Sequence, residues 1–157
     1  MPSTHLSDKK CKRLLKSAVY GRLAVCCTDG HPYIIPVNYV LFEENIYIHT
    51  GFHGKKLDCI RSHPKVCFEI SSAGKLYSGS RARDFSMRYW SVLVFGKAQE
   101  IHDINRKFEI MTALMEKYAA GSTFEALELE DMQDVNVIEI SIEKISGKVG
   151  FDPKRGE

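Results

Sequence analysis

YIHTGFHGKKLDCIRSHPKVCFEI, residues 47–70, passes from strand to turn to helix and back to strand, and it orders the rest of the chain. Ile46–Thr50 has the β-branched and aromatic content of a strand, Gly51 to Gly54 flank a turn, and Lys55–Ser62 predicts a short helix. Lys65–Ile70 predicts the next strand. Two cations at a helix N-terminus oppose the macrodipole, at a cost of roughly 0.3–1 kcal/mol each. A docked anion removes the misfit, because the free N–H groups and the ammonium groups then point at one ligand. The corner at His53, Gly54, Lys55 and Lys56 therefore reads as a phosphate seat for a nucleotide-like cofactor.

Upstream, Ser7 predicts the N-cap of a first helix, with Cys11, Leu14, Leu15 and Ala18 on one side and Gly21 as its stop. Arg22–Thr28 and His31–Phe42 predict paired strands joined at Asp29-Gly30 by a two-residue type I′ turn. A second turn around Glu43–Asn45 leads into the strand ending at Thr50. Downstream, Tyr89–Ile101 predicts a long strand. Asp103 predicts the cap of a helix with its stripe at Ile104, Phe108, Met111, Met115 and Tyr118, ended by Gly121. An acidic segment follows, and Val135–Ile145 predicts the last strand. Residues 71–88, rich in Ser and Gly, predict a basic loop: a lid over a bound anion, a contact with the acidic stretch 125–134 of another subunit, or a solvated connection. These elements predict a mainly β fold, an antiparallel barrel with peripheral helices.

The chain has 157 residues, 44% of them hydrophobic, a net charge of +2 and 27% charged residues. One domain over 1–157 is expected, with no nucleic-acid partner. No apolar run reaches membrane-spanning length and the first residues lack a signal-like apolar stretch, so a cytoplasmic protein is expected. The cysteines at 11, 26, 27, 59 and 67 form no C-x-x-C pair, which predicts reduced and mostly buried thiols. His49 and His53 are four apart, but one ends a strand and the other precedes a helix, so no metal site is expected.

YGRLAV (20–25), DGHPYIIPVNYV (29–40), IYIHTGFHGKKLDCI (46–60), HPKVCFEI (63–70), YWSVLVFGKAQEI (89–101) and ISGK (145–148) follow one another in an order that resembles the pyridoxamine 5′-phosphate oxidase-like split-barrel flavoproteins, with the nitroimidazole-resistance branch nearest. The resemblance implies a six-stranded antiparallel Greek-key barrel, its core at about residues 20–148. It implies a homodimer with flavin mononucleotide (FMN) in grooves between subunits, the adenine-containing FAD being the alternative. It places Ile35, Pro36, Val37 and Asn38 along the flavin ring, His49 and Thr50 at the ribityl–phosphate region, and Lys55 and Lys56 on the phosphate. Ser91, with Trp90 and Val92, would approach the isoalloxazine. On the residues' own terms, Ile35–Asn38 also reads as a barrel strand with a bulge at Pro36, His49 as a histidine bonded at a strand end, and Trp90 as core or interface packing.

The C-terminal GFDPKRGE contains Arg155 without the R-L-x-P motif of the oxidase proper, so vitamin B6 oxidation is not implied. The function implied is a flavin-dependent oxidoreductase that reduces a small planar acceptor such as a nitro-heteroaromatic. His49 would be the proton donor, histidine being the side chain that exchanges a proton near neutral pH. The alternatives are a non-catalytic flavin carrier or redox sensor and, on the same barrel, a haem-handling protein.

Overall fold

The computed structural model describes residues 3–119 and 121–150. Eight strands build one antiparallel sheet, two more than the six expected. Its elements, in chain order, are β1 (Ser3–Leu6), α1 (Asp8–Ser17), β2 (Gly21–Cys26), β3 (Pro32–Val37), β4 (Val40–Phe42), β5 (Asn45–Thr50), α2 (Lys55–Ser62), β6 (Lys65–Tyr77), β7 (Ser86–Ile101), α3 (Ile104–Tyr118) and β8 (Asn136–Gly150). The strands follow the order β3-β2-β6-β7-β8-β5-β4, with β1 paired to β8 beside this path. Among the described residues both ends of the order, β3 and β4, are free edges. Pro36, which has no N–H to give a ladder, sits on one of them. No helix of the described residues is long and apolar enough to cross a membrane.

Period-two alternation sorts each strand into an inner and an outer face. Leu23, Val25, Phe68, Ile70, Val92 and Val94 point inward and share one core with Cys11 and Leu15 of α1 and Leu57, Cys59 and Ile60 of α2. In the middle of β5 both faces are buried. Ile46 and Ile48 join the inner core, while Tyr47 lies under α3 with Ile110, Leu114 and Val137.

Several expectations change. α1 is capped by Ser7, which accepts from the Lys10 N–H, but it ends at Ala18 in extended backbone rather than at Gly21. Gly21 instead opens β2, where a Cβ would fall 2.0 Å from the Phe68 ring. The first hairpin is not a type I′ turn: among the described non-glycine residues only Glu43 and Glu44 have positive φ, so Asp29 does not. The Gly30 N–H donates to Cys27 O and Gly30 takes φ 78°, which makes a three-residue loop with glycine in the left-handed position. The two-residue loop with both residues left-handed is Glu43-Glu44, at φ 44° and 72°. Lys12 pairs with Glu44 and Arg106 with Glu43, offsetting a conformation that non-glycine residues resist.

The strand expected over His31–Phe42 breaks at Asn38-Tyr39. The Tyr39 N–H donates to Tyr118 Oη at 2.9 Å, its carbonyl accepts from Lys117 Nζ at 2.9 Å, and its hydroxyl donates to Leu15 O at 2.6 Å. Side chains of α3 thus take the backbone bonds that a continuous strand would have used. α3 starts at its Asp103 cap as expected and is ended by Ala119, not by Gly121. Its buried face is Lys107, Ile110, Ala113 and Leu114, rotated from the expected stripe, whose members are only half-buried. Residues 71–88 are not a loop. β6 and β7 stay paired as far as Tyr77 and Ser86, with a register shift between Ala73 and Leu76, so most of the segment is a projecting hairpin.

Candidate functional site

β5 delivers the chain to α2 through the Gly51–Gly54 turn. Gly54 is the N-cap at φ 127°, a backbone state that side chains rarely adopt, and no side chain caps the helix. Its carbonyl accepts from the N–H groups of Leu57 and Asp58. The N–H groups of Lys55 and Lys56 have no acceptor among the described residues.

The ammonium groups at this corner have no carboxylate partner among the described residues. Lys55 Nζ lies 5.2 Å from the centroid of the Tyr33 ring, which ties α2 to the edge strand β3. Lys56 is half-buried, and that burial alone pushes its amine below the ordinary lysine range. An anion at the uncapped N-terminus would satisfy both amides and oppose the downward shift of the Lys56 amine. The residues present therefore fit a phosphate group.

The corner is rigid on its other sides. Arg61 donates to both oxygens of Glu100, at 2.7 and 2.9 Å, and more weakly to Phe52 O at 3.4 Å. Glu100 also accepts from the buried Asn136 at 2.7 Å. The hydrogen bond from Arg61, then that from Asn136, holds the Glu100 carboxyl below its usual range. A disulfide joins Cys59 of α2 to Cys27 at the first hairpin, where reduced thiols were expected. Cys11, Cys26 and Cys67 are free, Cys26 being exposed and its neighbour Cys27 buried, as opposite faces of one strand require.

On the outer face of β3-β2-β6-β7, Arg22 donates to Glu69 at 2.7 Å and to Ser71 Oγ at 3.3 Å. Cross-strand pairing carries this line from Pro36 through Arg22 and Glu69, and from Ser71 to Ser91. Beside it is a shallow depression of about 450 Å³ between Ala24, Ile34, Cys67 and Leu93. Ile34 is 62% exposed and Phe95 44%, so this sheet face carries an open apolar patch.

Residues 7–149 match the family described as pyridoxamine 5′-phosphate oxidase. The chain belongs to that family. An uncharacterized protein of Rhizobium meliloti (strain 1021) is 33% identical over 97 residues, which are 61% of this chain and 56% of that protein, so the match spans little over half of the relative. Among solved structures, a FAD-binding protein from Mesorhizobium loti has 27% identity and a TM-score of 0.70, covering 96% of this chain and 100% of its own. A candidate 5-nitroimidazole antibiotic resistance protein from Bacteroides thetaiotaomicron superposes with a TM-score of 0.79 at 21% identity, over 95% of this chain and 89% of its own. A FAD and heme binding protein from Mycobacterium smegmatis reaches 0.82 at 18% identity, over 99% and 78%. The last two likenesses concern the fold alone.

In this member of the oxidase family, His49 is exposed and faces Val137 across the ladder, and Thr50 pairs with Asn136. His53 and Gly54 are exposed in the turn. Ile35 and Val37 pack partly against the barrel core, whereas Pro36 and Asn38 are exposed at the free edge. Trp90, Ser91 and Val92 cannot share one side, because adjacent strand residues point oppositely. Val92 is fully buried and Trp90 packs against the core, in a cleft with Lys10 and Val149; only Ser91 turns its side chain outward. Sequence reasoning missed Tyr33 and Arg22, and no local signal marked either: each acquires its role from a partner on another element. Among the described residues no three His, Cys, Asp or Glu side chains gather in a way that would hold a metal ion. Arg155 lies outside the described residues.

Proposed function

We propose that this protein binds FMN as a homodimer and acts as an oxidoreductase toward a small planar acceptor. One observation carries the reading: Lys56, half-buried and without a carboxylate, stands with Lys55 at a helix N-terminus whose first amides are unpaired. Membership of the oxidase family and the FAD-binding relative from Mesorhizobium loti support a flavin as the phosphate bearer. The phosphate sits on Lys55, Lys56 and their amides, and the ring runs along Ile35–Asn38, where β3 pairs with β2 on one side and no strand of the described residues lies on the other. FAD is the alternative ligand for the same seat.

A bound flavin supplies the electron transfer. The chain's own residues place it and exclude water: β3 and the partner-facing sheet form the walls, and the Ile34–Leu93 patch is covered by the second copy. His49, exposed at the end of β5, holds a proton for delivery to the acceptor. The test is titration of the purified protein with FMN, followed by flavin absorbance, then addition of NADPH and a nitroimidazole. Flavin uptake with loss of the nitro chromophore is expected. Uptake without turnover would leave a flavin carrier or sensor, and no uptake at any concentration would end the reading.

A further inference from the structure

We propose that the β6–β7 hairpin is an exchange arm, whose tip docks in the apolar groove beside α3 of a second copy of this chain. The proposal rests on the self-association part of the reading above and not on the flavin.

The arm exposes what a soluble surface normally covers. Leu76 is 75% exposed, Phe85 62% and Met87 37%. Leu76 pairs with Met87, and Met87 shares its strand face with Ser91, Leu93 and Phe95. The same strand face therefore carries the apolar patch at Leu93 and Phe95 and, past Ser91 and Tyr89, the apolar residues of the arm, and a copy that covers the first lies beside the second. Lys75, Arg81 and Arg83 are exposed around these apolar residues, and Arg81 alone of the three has a carboxylate, Asp84 at 3.3 Å.

The groove is complementary in both respects. Phe108, Met115 and Ala119 of α3 face Phe124 and Leu127 across a cavity of about 450 Å³, with Phe124 53% exposed. Glu116, Glu125, Glu128 and Glu130 stand exposed at or next to it, and none is ion-paired among the described residues. Within one chain no ion pair joins arm to groove among those residues. In a twofold dimer each arm meets the other copy's groove, so the contact is made twice and closes. Apolar insertion supplies the attraction, and the charges select the register.

Reversing each side separately gives a matched test on the full-length protein. Lys75→Glu with Arg83→Glu makes the arm acidic; Glu125→Lys, Glu128→Lys and Glu130→Lys together make the rim basic. Each variant alone should dimerise on the order of tenfold more weakly in sedimentation at low salt, since arm and rim then carry net charge of the same sign. Mixed in equal amounts, the two should recover wild-type association, because both contacts of the heterodimer are again opposite in sign. That rescue also excludes misfolding as the cause. Weakening by the arm variant alone would mean that the arm docks elsewhere, for example on the other copy's bound phosphate, and would overturn the proposal. Unchanged dimerisation of both variants, failure of the mixture to recover, or a wild-type chain that stays monomeric would overturn it as well. FMN titration of the same samples keeps the flavin question separate.

Discussion

The starts of α2 and α3 carry the same kind of residues and end in opposite states. At α3, the Asp103 side chain accepts from the Arg106 N–H at 2.7 Å, and the Arg106 guanidinium donates to Glu109, Glu43 and Tyr47. Lys107 is buried, yet its amine donates to Val135 O at 2.7 Å. Every cation there is answered inside the chain, and the hydrogen bonds that Arg106 donates to Glu109 and then to Tyr47 hold its guanidinium further toward the charged form. At α2 a glycine caps nothing, the first two amides have no acceptor, and burial shifts Lys56 toward its neutral form. The cations at α3 have their acceptors built in; those at α2 have no carboxylate among the described residues, and that contrast is the ground for proposing α2 as a ligand site.

The largest test concerns what holds α2 while its front is left open. Cys27 and Cys59 are 32 residues apart, and closing a loop of that length constrains the unfolded chain by about 3–4 kcal/mol. Cys59→Ser should lower the denaturant midpoint accordingly and should weaken FMN binding through a looser helix. A midpoint that reductant leaves unchanged in the wild type would show that the bridge does not anchor α2.

Lys56→Ala should then weaken FMN by about 1.5–3 kcal/mol, roughly 10- to 150-fold, and leave stability unchanged or slightly raised. Riboflavin, without the phosphate, should bind both proteins alike; an equal loss for both ligands would place the site elsewhere. The same amine predicts opposite pH slopes. Its folded pKa lies below the unfolded value of roughly 10.4, so between the two the unfolded chain holds the extra proton. Stability of the free protein gains from Lys56 as pH rises through that window. FMN affinity falls over the same range, as the ammonium is lost.

The smallest effect belongs to the scaffold side. Asp103→Ala should cost about 1 kcal/mol of stability, read by thermal melting, with FMN affinity intact. A change in binding without a change in melting would reverse the roles assigned to the two helices.

Most of this was legible where the cause is local. Ser7 and Asp103 were recognisable caps because a short oxygen-bearing side chain followed by helix formers is a local signal. The lysine corner was legible because it breaks a local rule. The β6–β7 arm was not. Residues 71–76 are exposed on both faces, so no apolar alternation marks them, and they hold strand form by pairing with β7. Propensity favours a type I′ turn at Asp29-Gly30, but it occurs at Glu43-Glu44, where the short β4–β5 pairing and the ion pairs to Lys12 and Arg106 override propensity. The buried face of α3 departs from its apolar stripe because Lys107 is buried, two distant carbonyls receiving its amine.

By itself the sequence determined the mainly β architecture, the positions of the helices, and a corner rich in uncompensated cations. Periodicity, capping and charge act within a few residues and need no distant partner. Only the tertiary structure decided that Cys27 meets Cys59, that Tyr33 meets Lys55, and that Trp90 rather than Ser91 packs against the core. Those outcomes depend on which strand lies beside which and in what register, and pairing across the sheet brings together residues whose separation along the chain carries no signal.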